Sequence, residues 1–272
     1  MIPLEDNVGD IIGKAQRGLG ISDSELAEKA RLSLEKIRAL REGGFDDADL
    51  MKVAPVLGLN GPALCVLARD EWSPKKIGAL DGLEQFNTNY HGMAVNAYLV
   101  WDPASRVAAA FDTGGDSSEM IRFAERHKLN VQLIVLTHAH PDHVADLPGL
   151  REETGANVFT PASEPVPGAE PIEEGKRFRL GNLEINSLLT WGHSPGGMTY
   201  IVTGLARAIA VVGDSLFAGS MGGGNVSYRD ALQNNVEKIL SLPDETIICP
   251  GHGPMTTVGE EKAHNPFFAG KV

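Results

Sequence analysis

The stretch Thr137–His143, THAHPDH, places three histidines and an aspartate within six residues. It follows Val131–Leu136 (VQLIVL), an apolar and β-branched run that reads as a buried strand. A strand ending in a cluster of imidazole and carboxylate groups sets metal ligands at the edge of a sheet. Histidine is the commonest side-chain ligand for zinc-like ions, and carboxylate oxygens fill the remaining positions. Packing does not account for such a density of polar groups.

Six residues supply one face of a metal site and cannot close it. Three later residues repeat the same local grammar, an apolar strand-like run with glycine beside a ligand-type side chain. His193 follows Leu183–Thr190, Asp214 follows Ala208–Gly213, and His252 follows Thr246–Pro250. His138, His140, Asp142, His143, His193, Asp214 and His252 exceed the roughly four ligands of one zinc ion. With one shared carboxylate they suit two divalent metals and a bridging hydroxide. Zinc fits these donors best, and iron or manganese fit them as well.

The motifs THAHPDH, GHSPGG, GDSLF and PGHGPMTT resemble, in order, the metal motifs of metallo-β-lactamase-fold hydrolases. The resemblance runs from about Trp72 onward and implies an αββα sandwich with the metals at one edge. It implies that one metal takes His138, His140 and His193. The other takes Asp142, His143 and His252, with Asp214 bridging and with Asp142 and Asp214 as the catalytic carboxylates. Asp112, in AAAFDTGG, matches the family's upstream aspartate, which orients a ligand histidine. It also reads as a turn-forming Asp before Thr-Gly-Gly.

PGHGPMTTVGEEKAHNPF is similar to the short branch of glyoxalase II enzymes, hydroxyacylglutathione hydrolases, which implies hydrolysis of a thioester to a carboxylate and a thiol. Two departures bear on the thiol carrier. The chain ends shortly after His252, without the C-terminal helices that grip glutathione, and Gly222-Gly223 stands where Gly-Arg is frequent. Other readings are a mononuclear-iron persulfide dioxygenase, a lactonase, and a regulator with a metal-bearing sensor domain.

The 272 residues carry a net charge of −12 and no basic run, which weighs against a polynucleotide or an anionic membrane as partner. No apolar run reaches the roughly 18 residues of a membrane span. MIPLEDNVGD lacks the basic and apolar regions of a secretory signal, so a cytoplasmic enzyme acting on a small molecule is expected. Two cysteines, Cys65 and Cys249, do not make a disulfide framework.

Residues 1–72 read as a small all-α domain and 73–272 as the catalytic domain, with Trp72–Lys76 as linker. Ser22 and Glu25 form a capping box, Gly43-Gly44 stops a later helix, and Pro62 opens the last one. LAEKARLSLEKIRALREGG resembles the helix-turn-helix of phage-repressor-type regulators, with Arg31 at the turn where glycine is usual. Lys36 and Arg38 would face DNA. Nine Lys and Arg against thirteen Asp and Glu favour a bundle that dimerises or shields the active site instead.

In the catalytic part, strands are expected at Met93–Trp101, Arg106–Phe111, Val131–Leu136 and Asn157–Thr160. A helix is expected over Ser117–Leu129, a proline-rich loop over Pro161–Gly175, and an amphipathic helix over Tyr228–Leu240. Tyr90 and His91 either line the substrate mouth or lie on the surface. Ser194 reads as a turn residue, His127 as part of a solvated face, and His264 as part of the terminal segment.

Overall fold

Alternation of apolar residues at period two lets a strand bury both faces in different company, and the central strands here do so. The computed structural model describes residues 2–272. One six-stranded sheet orders β1 (Leu83–Tyr90), β2 (Met93–Trp101), β3 (Val107–Phe111), β4 (Asn130–Val135), β5 (Asn157–Pro161) and β6 (Glu170–Ile172) side by side. The second orders β7 (Arg177–Leu180), β8 (Leu183–Leu189), β9 (Met198–Thr203), β10 (Ile209–Gly213), β11 (Ile247–Pro250) and β12 (Thr256–Thr257). Tyr98, Phe111, Val135, Ile185, Tyr200, Val211, Ile247 and Cys249 pack between the sheets.

The alternate residues face outward and are also buried. Ala97, Leu99, Ala110, Ile134 and Val158 meet the helical layer of the first sheet. Ala210, Val212 and Ile248 of the second sheet face the opposite way, into the chain's own N-terminal helices. Those helices are α1 (Val8–Leu19), α2 (Asp23–Ala30), α3 (Leu34–Arg41), α4 (Asp47–Val56) and α5 (Gly61–Ala68). Leu26, Ile37, Leu50 and Leu64 share one apolar cluster with the second sheet and with Phe267 and Phe268 near the C-terminus. Fully burying one such side chain stabilises by about 1.5–3 kcal/mol. The remaining helices are α6 (Ser118–Arg126), α7 (Pro141–Val144), α8 (Leu147–Thr154), α9 (Tyr228–Asn234) and α10 (Val258–His264). The fold is the mixed α/β sandwich of two sheets that the sequence implies, preceded by an all-helical region.

The local signals of the helices are realised. Ser22 and Glu25 form the capping box of α2, and Pro62 sits in the first turn of α5. Arg31 ends α2 at φ 54°, ψ 45°, the left-handed conformation glycine adopts without cost. Lys36, one of the two cations offered for DNA, pairs with buried Asp49 at 2.6 Å. Cys65 and Cys249 are free and buried. Among the described residues, no helix is long and apolar enough to cross a membrane.

Three elements differ from the expectation. A polar edge strand, β1, precedes Met93, so Tyr90 ends a strand and exposed His91 turns the hairpin at φ 49°. Exposed Glu84 lies on one face of this strand and exposed Asn87 and Asn89 on the other, which breaks the apolar alternation by which a strand is read. Short β6 lies inside the proline-rich loop and pairs with β5. The helix from Tyr228 changes pitch at Asn235, where Asn235–Ile239 forms a π-helical turn.

Candidate metal centre

Strands β4, β8, β10 and β11 all end at one edge of the sandwich, and the loops that leave them carry the predicted residues. His138, His140, Asp142 and His143 follow β4, with α7 opening at Pro141. His193 follows β8, Asp214 follows β10, and His252 follows β11. All seven come together. Donor atoms of His138, His140, His193 and Asp214 lie within 4.8 Å of one another, and so do those of Asp142, His143 and His252. Asp214 joins the two groups. Its Oδ2 is 3.3 Å from His193 Nε2 and 3.5 Å from His252 Nε2, and its Oδ1 is 3.3 Å from His143 Nε2.

The hydrogen bonds behind the rings decide which nitrogen faces inward. His143 Nδ1 donates to Asp112 Oδ2 at 2.8 Å, His193 Nδ1 to the Gly223 carbonyl at 2.9 Å, and His252 Nδ1 to the Ala94 carbonyl at 2.7 Å. Each ring therefore presents Nε2 to the centre, where its lone pair takes either a proton or a metal ion. His138 Nε2 and His193 Nε2 approach His140 Nδ1 at 3.0 and 3.1 Å. Buried His143 Nε2 and Asp214 Oδ1 find no hydrogen-bond partner. Convergent lone pairs and orphaned buried acceptors are what a divalent cation satisfies, so the donor set fits two such ions.

The electrostatics agree. Burial pushes the His143 imidazole down, yet the Asp214 and Asp112 carboxylates outweigh it and lift its pKa to about 10. His252 likewise rises to about 11 against burial, through Asp214 and Asp142. Burial holds His138 well below its ordinary range, aided by the charge of His143. For Asp214, burial acts upward and His143 and His252 outweigh it, leaving the carboxyl well below the usual carboxylate range. The cavity attracts positive charge.

Asp112 sits at φ 56° after β3 and is buried among the donors, which favours the orienting role over that of a surface turn residue. Ser194 is not a plain turn residue: buried, it donates to Glu164 Oε1 at 2.6 Å. His264 stacks on Trp72 and His127 on Phe123, both away from the centre.

Several positioning groups escape a reading by motif. Buried Asn96 donates through Nδ2 to the carbonyls of Pro250 and Gly253, at 2.9 and 2.8 Å, fixing the loop of His252. A lone asparagine inside the apolar run of β2 was its signal. Asn234 donates to the Trp191 carbonyl and Asn235 to the Ser215 carbonyl, at 2.9 and 2.8 Å, so the asparagine pair where the helix changes pitch anchors the loops of His193 and Asp214 together.

Known proteins resemble this chain in sequence and fold. Hydroxyacylglutathione hydrolase GloC of Haemophilus influenzae is 30% identical over 201 residues, covering 65% of this chain and 93% of its own. The crystal structure of the BLEG-1 B3 metallo-beta-lactamase aligns with a TM-score of 0.59 at 29% identity, covering 69% of this chain and 100% of that one. TTHA1623, solved in a di-iron-bound form, aligns with a TM-score of 0.54 at 29% identity, covering 67% of this chain and 100% of that one. The model of the metallo-beta-lactamase superfamily matches residues 92–252, from the β1–β2 turn to the last histidine of the centre, and this chain belongs to that superfamily.

Proposed function

We propose that this chain is a binuclear metallohydrolase that cleaves thioesters, with hydroxyacylglutathione-type compounds as the first substrate class to test. The observation that carries the reading is the pair of donor groups joined by Asp214, with inward nitrogens fixed by hydrogen bonds on their far sides. His138, His140 and His193 would hold one cation, and Asp142, His143 and His252 the other, with Asp214 facing both. When bound, such a pair supplies an ionised water and an electrophile for the carbonyl oxygen.

The chain's own residues then orient the reactants. Asp142 Oδ2 lies 3.3 Å from His252 Nε2 and 3.6 Å from His143 Nε2, so it would face a water held at that half of the centre. Burial pushes the Asp142 carboxyl up, and the His252 hydrogen bond and His143 charge more than offset it, so it stays ionised at neutral pH. Ionised, it can accept a hydrogen bond from the O–H of the nucleophile and take that proton as the carboxylate product forms. The C–S bond breaks and the sulfur leaves as a thiolate, which needs no general acid. Similarity to GloC supports the thioester class, and the di-iron form of TTHA1623 supports a place for iron beside zinc.

Metal analysis of the purified chain, joined to a panel of S-lactoylglutathione, other thioesters, lactones, β-lactams and a persulfide, tests the proposal. Two metals per chain and thioester turnover that Asp142→Ala abolishes are expected. Unchanged turnover in that variant would refute the role of Asp142. One iron per chain with oxygen consumption on the persulfide would replace the hydrolase reading.

A further inference from the structure

Glu164 stands in the loop after β5, outside every motif of the centre, yet both of its carboxylate oxygens are spent on the centre's loops. Oε2 accepts the backbone N–H of Ala139 at 2.7 Å, and Ala139 lies between His138 and His140. Oε1 accepts the Ser194 hydroxyl at 2.6 Å and the Gly196 N–H at 2.7 Å, one and three residues beyond His193. The loop that carries Glu164 is itself pinned. Glu164 N–H donates to the Pro161 carbonyl at 2.9 Å, and its own carbonyl accepts the Thr160 hydroxyl at 2.7 Å.

This carboxylate therefore ties a loop of the first sheet to a loop of the second at the metal edge. The approach is tight. A Cβ on Gly196 would stand 2.9 Å from Pro161 Cβ and 3.2 Å from Glu164 Oε1, so only glycine lets this backbone close on the carboxylate. Charge-assisted hydrogen bonds are roughly twice as strong as neutral ones, and three on one side chain, two from backbone N–H groups and one from a hydroxyl, fix its partners closely.

We propose that Glu164 is a positioning residue that presets the His138–His140–His193 half of the centre, leaving the Asp142–His143–His252 half to other anchors. The proposal rests on the metal-binding reading above. The anchors divide accordingly: His143 leans on Asp112 and His252 on Ala94, and neither contacts Glu164. A glutamine at this position has one acceptor oxygen. Its NH2 group must face either Ala139 N–H or Gly196 N–H, donor against donor, so one of the two loops is released.

The full-length chain, stripped of metal and titrated with Co(II) against a competing chelator, reads the two sites through their visible ligand-field bands. His140→Ala identifies the bands that belong to the three-histidine half. In Glu164→Gln, that half is expected to lose about 10–100-fold in affinity, as for other groups that orient metal ligands, while the second half keeps its own. Ser194→Ala, which removes one of the three hydrogen bonds, should weaken the same half by less. A general loss of packing would weaken both halves alike, and that result overturns the proposal, as would two unchanged affinities. Should Glu164→Gln not fold, Ser194→Ala decides by the same criterion. A wild-type chain that takes up no metal refutes the functional reading and this proposal together. Two wild-type sites untouched by the variants refute this proposal alone.

Discussion

Asp112 grips Thr137 at two points, accepting the backbone N–H on Oδ1 and the hydroxyl on Oδ2, both at 2.7 Å. Thr137 Oγ1 has one proton and gives it to Asp112, so its contact with His138 Nδ1 at 3.0 Å has the ring as donor. His138 Nε2 is thereby left with its lone pair toward the centre. The same Oδ2 accepts His143 Nδ1–H, so one buried carboxylate sets a histidine in each half. Asp112→Asn should cost about 10–100-fold in affinity at both halves, read by the same metal titration. An effect confined to one half would disprove the relay through Thr137.

The backbone of Gly251 runs close against the centre. A Cβ there would lie 2.2 Å from Asp214 Oδ1 and 2.7 Å from His143 Cε1. Gly251→Ala is expected to abolish binding of the second metal and with it turnover, while the far-UV circular dichroism is kept. Normal metal content in that variant would show that Asp214 and His143 yield more easily than their packing implies.

Glu261 on α10 is fully buried, with Thr256 donating to Oε1 at 2.8 Å and with Asn265 and Gly219 donating to Oε2 at 2.8 and 3.0 Å. Burial pushes its pKa from 4.5 to about 7, against the pull of those donors. The folded chain holds this proton to higher pH than the unfolded chain does. The group's favourable contribution is thus complete below pH 4.5, falls as the pH rises, and is lost above about 7. The swing is on the order of 3 kcal/mol. A glutamine keeps an oxygen for Gly219 and Asn265 and offers its N–H to Thr256. Glu261→Gln should therefore melt above wild type at about pH 8, with the difference closing towards pH 4.5. Parallel Tm–pH curves would show that Glu261 does not titrate in this range.

Arg31 is exposed and held in the left-handed region at φ 54°. That conformation costs a non-glycine residue about 1–2 kcal/mol, and glycine returns about 0.5–1 kcal/mol of it as backbone entropy. Arg31→Gly should raise the denaturant midpoint by an amount worth up to about 1 kcal/mol, with an unchanged slope. A lower midpoint would mean that the Arg31 side chain stabilises the turn between α2 and α3 in solution.

The centre was legible because its seven donors sit where strands end, four in one cluster and three next to glycines, and because no apolar core tolerates such side chains unpaired. Asp112 was legible by the same rule. The groups that hold the donors were not. Glu164 lies in an acidic, proline-rich loop that resembles solvated surface, and its partners stand 25 and more residues away along the chain. The edge strand β1 was missed because NTNY lacks an apolar face of its own. The outer helical layer was legible as helices, while its burial against Ala210, Val212 and Ile248 depends on which face of the second sheet lies uncovered.

The asparagine pair at the pitch change carries a consequence for length. Neighbouring residues on an α-helix point about 100° apart, and Asn234 and Asn235, both with ordinary helical backbone angles, use that spread to reach two different carbonyls. The wider turn that follows them is closed by Leu240 N–H on the Asn235 carbonyl at 2.8 Å. A residue inserted or deleted between Tyr228 and Asn234 would swing both asparagines by about 100° and draw them off Trp191 and Ser215. The count of residues ahead of the pair is thus dictated by the chemistry it overlooks, and an indel there would act as an active-site mutation without altering any group that touches substrate.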